Sequence, residues 1–313
     1  LSCNKIVTNT VDFLGYGYIG INSSIVNVGG ESDSDASKNL RRALATVLSV
    51  YRDVAIDTYY GDAASVINYP ISNTSWAAPQ PSDSDYEIAF SKDVEGNSIY
   101  TADMTSDQRY EAAIEAALGF FEAAGYTVEN GKVTAAPEGA KMEYEILIPG
   151  DGDGNHPSFA ILADASAAFE GIGFNLAIND LTDANVLWDR LDAGTQELWC
   201  AAWGATIDPD MYQIYYSTNV VGKGGTDSNH YQITDSDLDT IIMEARQSDD
   251  QTYRKAAYKQ ALDIIIDWAV EIPTYQRQNS VIFSAERVNM DTVTPDITTF
   301  YGWLNEIENI KIK

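Results

Sequence analysis

Tyr144-Glu145-Ile146-Leu147-Ile148 is a short apolar run, closed at once by Pro149-Gly150-Asp151-Gly152. An apolar run of this length, stopped by turn residues, reads as a buried strand. A helix-length segment follows from about Ser158 to Glu170, then a second apolar strand at Phe174 to Ile178. Ala184 to Asp192 reads as another helix, and Leu198 to Ala202 as a third strand. Strand and helix alternating in this way imply a parallel sheet with right-handed crossovers. The fold class is α/β.

Upstream, Lys5 to Asn22 mixes β-branched and aromatic residues with glycines and reads as one or two strands. Gly29 to Asp35 is turn chemistry, and a helix is expected from about Ala36 to Tyr51, where Leu40, Ala43, Leu44, Val47, Leu48 and Tyr51 form one stripe. A loop-rich region around Trp76 is broken by Pro70, Pro79 and Pro81. Thr105 and Gln108 form a capping-box pattern ahead of a helix over Asp107 to Ala124, which Gly125 ends. Downstream, Thr234 and Asp237 are expected to cap a helix from Ser236 to Gln247. Another helix starts at Gln251, with Tyr253, Ala257, Ala261, Ile264, Ile265 and Trp268 along one face. The tail from Ile272 to Ile312 reads as several short strands.

Composition narrows the function classes. The 19 Lys and Arg against 47 Asp and Glu leave a net charge of −28, which opposes binding to nucleic-acid phosphates and anionic lipid. The 45% hydrophobic content is enough for a globular core. Cys3 and Cys200 are the only cysteines, too few for a disulfide framework or a Cys-rich zinc site, and neither His156 nor His230 sits in an HExxH pattern. No apolar stretch approaches the roughly 18 residues of a membrane span. No secretory leader opens the chain, which starts as a fragment would.

Motifs with a chemical meaning fare poorly. Gly15-Tyr16-Gly17-Tyr18-Ile19-Gly20 matches GxGxxG, but the next helix begins only near Ala36, so a glycine-rich strand is the better reading. Asp151-Gly152-Asp153-Gly154-Asn155 begins like a calcium loop, yet His156 and Leu162 stand where Gly and Glu are required. No cofactor and no metal are expected. With so many acids, carboxylate pairs for a hydrolase arise by chance, and no nucleophile motif stands out. The most distinctive stretch is Trp199 to Tyr212, an apolar strand running into an aromatic, acidic loop. Ligands of open α/β sheets sit at strand carboxyl ends. Trp203 either offers a flat face to a ligand or caps the core. Asp208 and Asp210 either accept hydrogen bonds from a cationic ligand or cap a helix.

Four blocks together resemble the extracellular solute-binding proteins of peptide-type ABC importers, family 5. They are Tyr18-Ile19-Gly20-Ile21-Asn22; Asn39 to Ala45 with Tyr60 to Ala64 and Pro70-Ile71; Trp203 to Tyr212 with Asn229-His230-Tyr231; and Asp235 to Thr274, with Asp239, Arg254, Tyr258, Ile272 and Pro273 in place. The resemblance implies the C-terminal lobe of a type II periplasmic-binding-protein-like fold, a mixed sheet with flanking helices. Residues 1–22 would be strands of the first lobe, 23–295 the C-terminal ligand-binding lobe, and 296–313 a return strand, with the two terminal segments side by side.

The resemblance also implies a role. The chain would be the substrate-binding component of an ABC importer, not an enzyme, capturing an oligopeptide between two lobes for a permease and its ATPase. It would act as a monomer at the extracellular face or in the periplasm, lipid-anchored through a cysteine upstream of this sequence. Ligand contacts would come from Trp203, Thr206, Asp208, Asp210, Tyr212, Asn229, His230 and Tyr231. Peptide binders of the family commonly pair the ligand's ammonium with an aspartate three residues after the loop tryptophan; Thr206 stands there in this chain. Asp208 as a substitute, or a ligand without a free amine, are the alternatives. A non-peptide solute, a carboxylate-dependent hydrolase and an adhesive surface protein are the competing readings.

Overall fold

The computed structural model describes residues 5–313. Two strands open it, β1 (Ile6–Asp12) and β2 (Gly15–Ile21). Helix α1 (Asp35–Val50) follows, capped by the Ser34 hydroxyl, then α2 (Arg52–Tyr60) and the short β3 (Ala64–Val66). Helix α3 (Ser106–Ala123) starts with the expected capping box: the Thr105 hydroxyl accepts from the Gln108 N–H, and the Gln108 side chain accepts from the Thr105 N–H. A hairpin, β4 (Thr127–Glu129) and β5 (Lys132–Ala135), leads into β6 (Glu143–Ile148), α4 (Phe159–Gly171), β7 (Asn175–Asp180), α5 (Asn185–Asp192) and β8 (Leu198–Gly204). One turn of helix, α6 (Tyr212–Tyr215), precedes α7 (Ser236–Gln247), α8 (Gln251–Trp268) and the long β9 (Glu271–Ser284).

Seven strands form one mixed sheet in the order β1-β9-β2-β8-β6-β7, with β3 also paired to β9. Both neighbours of β6 run parallel to it, as the strand–helix alternation predicts; the pairs involving β2 and β9 are antiparallel. One face carries Ile19, Ile21, Ile146, Ile148 and Ile272 beneath α1, α3 and α4. The other carries Tyr16, Tyr18, Leu147, Trp199 and Val270 beneath α5, α7 and α8. Helices on both faces make this the mixed α/β lobe that the resemblance implied.

The structure departs from expectation in several places. Strand β2 lies between β8 and β9 with all seven residues buried, so it is an inner strand of this sheet. Only β1 stands apart, pairing with the outer half of β9 from Asp12↔Gln278 to Ile6↔Ser284. The tail is one 14-residue strand followed by 3-10 turns, and over 296–313 it forms only an isolated bridge, Ile312 to Val288. Asp235, not Thr234 or Asp237, caps α7, because its carboxylate accepts from the N–H groups of Asp237 and Leu238. Helix α2 and the β4–β5 hairpin fall where no element was expected. Cys3 lies outside the described residues.

The GxGxxG glycines lie within β2, and close packing accounts for two of them. A Cβ at Gly17 would overlap the Tyr275 ring, and one at Gly20 would overlap the Trp199 indole. Glycine here serves ring packing against a sheet, not a phosphate. Gly20→Ala is expected to destabilise the lobe by about 1–3 kcal/mol through overpacking. An unchanged urea midpoint would refute this account.

Candidate functional site

The carboxyl end of β8 runs into the loop Ala205 to Met211, whose Ala205 N–H donates to the Leu14 carbonyl. A recess of about 130 Å³ opens there. Its walls are Trp203 to Thr206 and Asp208 to Met211, the Gln213 to Tyr215 turn of α6, Tyr16 of β2, and Pro70, Ile71, Ser72 and Ser75 of the loop Pro70 to Ser75. That last loop is fixed from below by Gln276, whose amide oxygen accepts from the Ser72 hydroxyl at 3.1 Å and the Asn73 N–H at 2.9 Å.

Of the expected site residues, Trp203, Thr206, Asp208 and Asp210 come together on this recess. Trp203 stacks one face on Tyr18, centroids 5.6 Å apart and 7° between planes, and its indole N–H donates to the Tyr231 hydroxyl at 3.0 Å. Thr206 donates to the Asp208 carbonyl. Asp208 accepts twice from Arg254, at 2.8 and 3.0 Å, and Asp210 pairs with Arg246 at 3.2 Å. Both carboxylates are already neutralised by arginines from α7 and α8, which weakens the case for either as the sole partner of a ligand's ammonium.

The other four stand off the recess. Tyr212 stacks on Tyr216 and lies under the Arg246 guanidinium, 4.3 Å from its ring. Asn229 is fully buried and donates to the carbonyls of Tyr215, Tyr216 and Ile233, so it braces α6 from behind. His230 is buried, which lowers its imidazole below the usual range, and its carbonyl accepts from Gln196. Tyr231 is fully buried between Trp199 and Tyr215. These residues shape the recess without lining it.

The sequence reading missed the acid buried behind the walls. Glu271 of β9 is fully buried; one oxygen accepts from the Tyr215 hydroxyl at 2.6 Å and the other has no partner. Burial raises its carboxyl from the ordinary range to about 7, against the opposing hydrogen bond from Tyr215. An acid inside Val270-Glu271-Ile272-Pro273 was the available signal, since a glutamate in an apolar run is seldom buried without purpose.

The strand edge beside Trp203 is open. Strand β6 pairs with β8 only through Leu198 and Trp199, whereas β2 pairs along its whole length, and Ala202 and Gly204 are exposed. The model for bacterial extracellular solute-binding proteins, family 5 (middle), matches residues 4–225. The chain belongs to this family. Over 159 residues it is 26% identical to the probable D,D-dipeptide-binding periplasmic protein DdpA of Escherichia coli (strain K12), covering 50% of this chain and 29% of that one. The family 5 lobe also matches the fold of the oligopeptide-binding protein AppA from Bacillus subtilis, solved with a nonapeptide. There the TM-score is 0.70 at 18% identity, over 100% of this chain and 53% of AppA. NikZ from Campylobacter jejuni, solved with Ni(L-His), gives 0.66 at 16% identity, over 99% and 54%. The chain thus spans 29% of the curated relative and about half of these solved ones. No described helix is long and apolar enough to cross a membrane, and no described cluster of three or more His, Cys, Asp or Glu is placed to hold a metal.

Proposed function

We propose that the chain is the ligand-binding lobe of a substrate-binding component of an ABC importer, taking an oligopeptide or similar small solute at the recess beneath Trp203. The observation that carries this reading is the open β8 edge beside an aromatic recess. A peptide adds to such an edge through its backbone, so affinity does not depend on one side chain, while the indole buries apolar surface. Thr206 and the rim of Asp208 and Asp210 orient the ligand; Asn229, His230 and Tyr231 support the wall. The lobe acts without catalysis, in keeping with rim carboxylates tied to Arg254 and Arg246 rather than held for acid–base work.

The family description supports an extracellular place, and the likeness to a periplasmic dipeptide-binding protein a periplasmic one. On this reading the protein acts as a monomer, tethered by a lipidated cysteine upstream, and delivers its ligand to a permease with its ATPase. Binding is tight only when a second lobe closes over the recess, with the β1–β9 ribbon as the connection. In a polypeptide of the relatives' full length, Trp203→Ala is expected to weaken peptide binding at least tenfold, or about 1.4 kcal/mol, with the fold intact. Calorimetry with a tetrapeptide and a urea melt read this out together. Undiminished affinity, or unfolding of the lobe, would show Trp203 to be core. A peptide that raises the melting temperature without being cleaved separates this reading from a hydrolase.

A further inference from the structure

Three tyrosines join the walls of the recess to one buried carboxyl, one of them by a direct hydrogen bond. Tyr215, itself a wall, donates to Glu271 at 2.6 Å. Tyr16 donates to the Pro70 carbonyl at 3.1 Å and turns its hydroxyl within reach of Glu271, which links the Pro70 to Ser75 wall. Tyr231, also within reach of Glu271, accepts from the Trp203 indole at 3.0 Å, which links the β8 wall. Glu271 is the point where the three meet, and its second oxygen has no partner.

We propose that Glu271 is a positioning residue for the recess: its ionisation sets how the three tyrosines hold the walls and places a negative charge beneath an ammonium-bearing end of the ligand. This rests on the recess being the ligand site.

An ionised carboxylate accepts only, so Tyr215 points its proton inward, while Tyr16 keeps its proton on the Pro70 carbonyl. A protonated one must donate, which forces at least one phenol to accept instead. The groups that face it are Tyr16 and Tyr18 of β2, Tyr215 of α6 and Tyr231 before α7. Charges on the other elements packed against β9 are engaged elsewhere. Arg41 of α1 and Arg52 of α2 donate to carbonyls, and Lys259, Asp263 and Asp267 of α8 are ion-paired. Asp12 of β1 meets Gln278 at the far end of the ribbon, and Asp62 before β3 is exposed. Among the described residues nothing positive compensates Glu271, so it exchanges its proton near neutrality.

The test labels the 313-residue chain with 5-fluorotryptophan and assigns Trp203 by Trp203→Phe. Its fluorine resonance should move between pH 5.5 and 8.5 with a midpoint near 7, stay fixed in Glu271→Gln, and shift its midpoint upward in Tyr215→Phe, which removes the hydrogen bond that favours the carboxylate. A resonance that does not titrate, or titrates unchanged in both variants, overturns the proposal. In a polypeptide of the relatives' full length, the tetrapeptide Ala-Ala-Phe-Ala should bind roughly threefold or more tightly at pH 7 than at pH 5.5, a range in which its own α-ammonium (pKa about 8) stays largely charged, and its N-acetylated form should show no such difference. Equal pH dependence for both forms refutes the charge role. Binding by neither form at either pH refutes the recess as ligand site, and the fluorine titration then decides the fate of the tyrosine hub alone.

Discussion

Arg41→Met should cost the lobe about 3–5 kcal/mol, lowering its melting temperature by about 10 °C. Arg41 is fully buried in α1 without a carboxylate partner. Its guanidinium instead donates to three carbonyls: Trp268 at 2.8 Å, Val26 at 3.1 Å and Ser32 at 2.9 Å. Trp268 is the last residue of α8, where unsatisfied carbonyls concentrate negative charge. That end has no basic residue of its own and carries Asp267, an acid at the wrong pole of the helix dipole. Helix α1 corrects both faults, Arg41 on the carbonyl and Lys38 with Arg42 on Asp267. Burial lowers Arg41 to about 9, so the group stays charged at neutral pH. Methionine fills most of the volume but leaves the carbonyls orphaned in the core. The contrast is Arg42→Ala, a half-exposed ion pair, for which about 1 kcal/mol or less is expected. Similar urea midpoints for the two variants would show that the buried guanidinium is a passenger.

Arg41 also marks where the sequence stops being legible. The stripe of Leu40, Ala43, Leu44, Val47 and Leu48 predicts α1, and it is buried as expected. Periodicity assigns Arg41 no partner, because its acceptors are backbone carbonyls up to 227 residues away. The strand–helix alternation from Tyr144 to Ala202 was readable because each strand is a short apolar run and each turn carries glycine or aspartate. Helix α2 was not, since only Arg52, Ala55 and Ile56 of its residues are buried and the apolar signal is weak. The β4–β5 hairpin did carry a signal in Asn130-Gly131, both at positive φ, as a tight hairpin turn demands. The long β9 reads as fragments because its inner half is buried on both faces while its outer half alternates.

The site divides in the same way. The Trp203 loop stands out as an aromatic, acidic segment at a strand end, and the recess is there. The roles of Asn229 and Tyr231 do not, because a motif gives adjacency in sequence and not the direction in which a side chain is packed. Glu271 belongs to a strand 56 residues from Tyr215, and only the folded sheet joins them.

That buried carboxyl makes the second large prediction. Its pKa is raised to about 7 in the folded lobe from the ordinary 4.5, so the native state holds a proton that the unfolded chain has released. Stability therefore falls as pH rises from about 4.5 to about 7 and is flat in this contribution above that window, the reverse of a salt-bridged carboxylate. Glutamine mimics the protonated form in shape and charge, so Glu271→Gln should abolish the slope. At pH 5 the variant and the native chain should agree to within about 1 kcal/mol, the worth of one altered hydrogen bond. At pH 8 the variant should be the more stable by up to about 3 kcal/mol, the shift converted at 1.36 kcal/mol per unit. Urea unfolding at the two pH values measures the difference directly, and contributions common to both chains, the buried His230 among them, cancel in the comparison. Parallel profiles would mean that the carboxyl is ionised throughout, compensated by water or by movement of the tyrosines. A steeper fall for glutamine at low pH would mean that the proton in the native chain makes a hydrogen bond that an amide cannot replace.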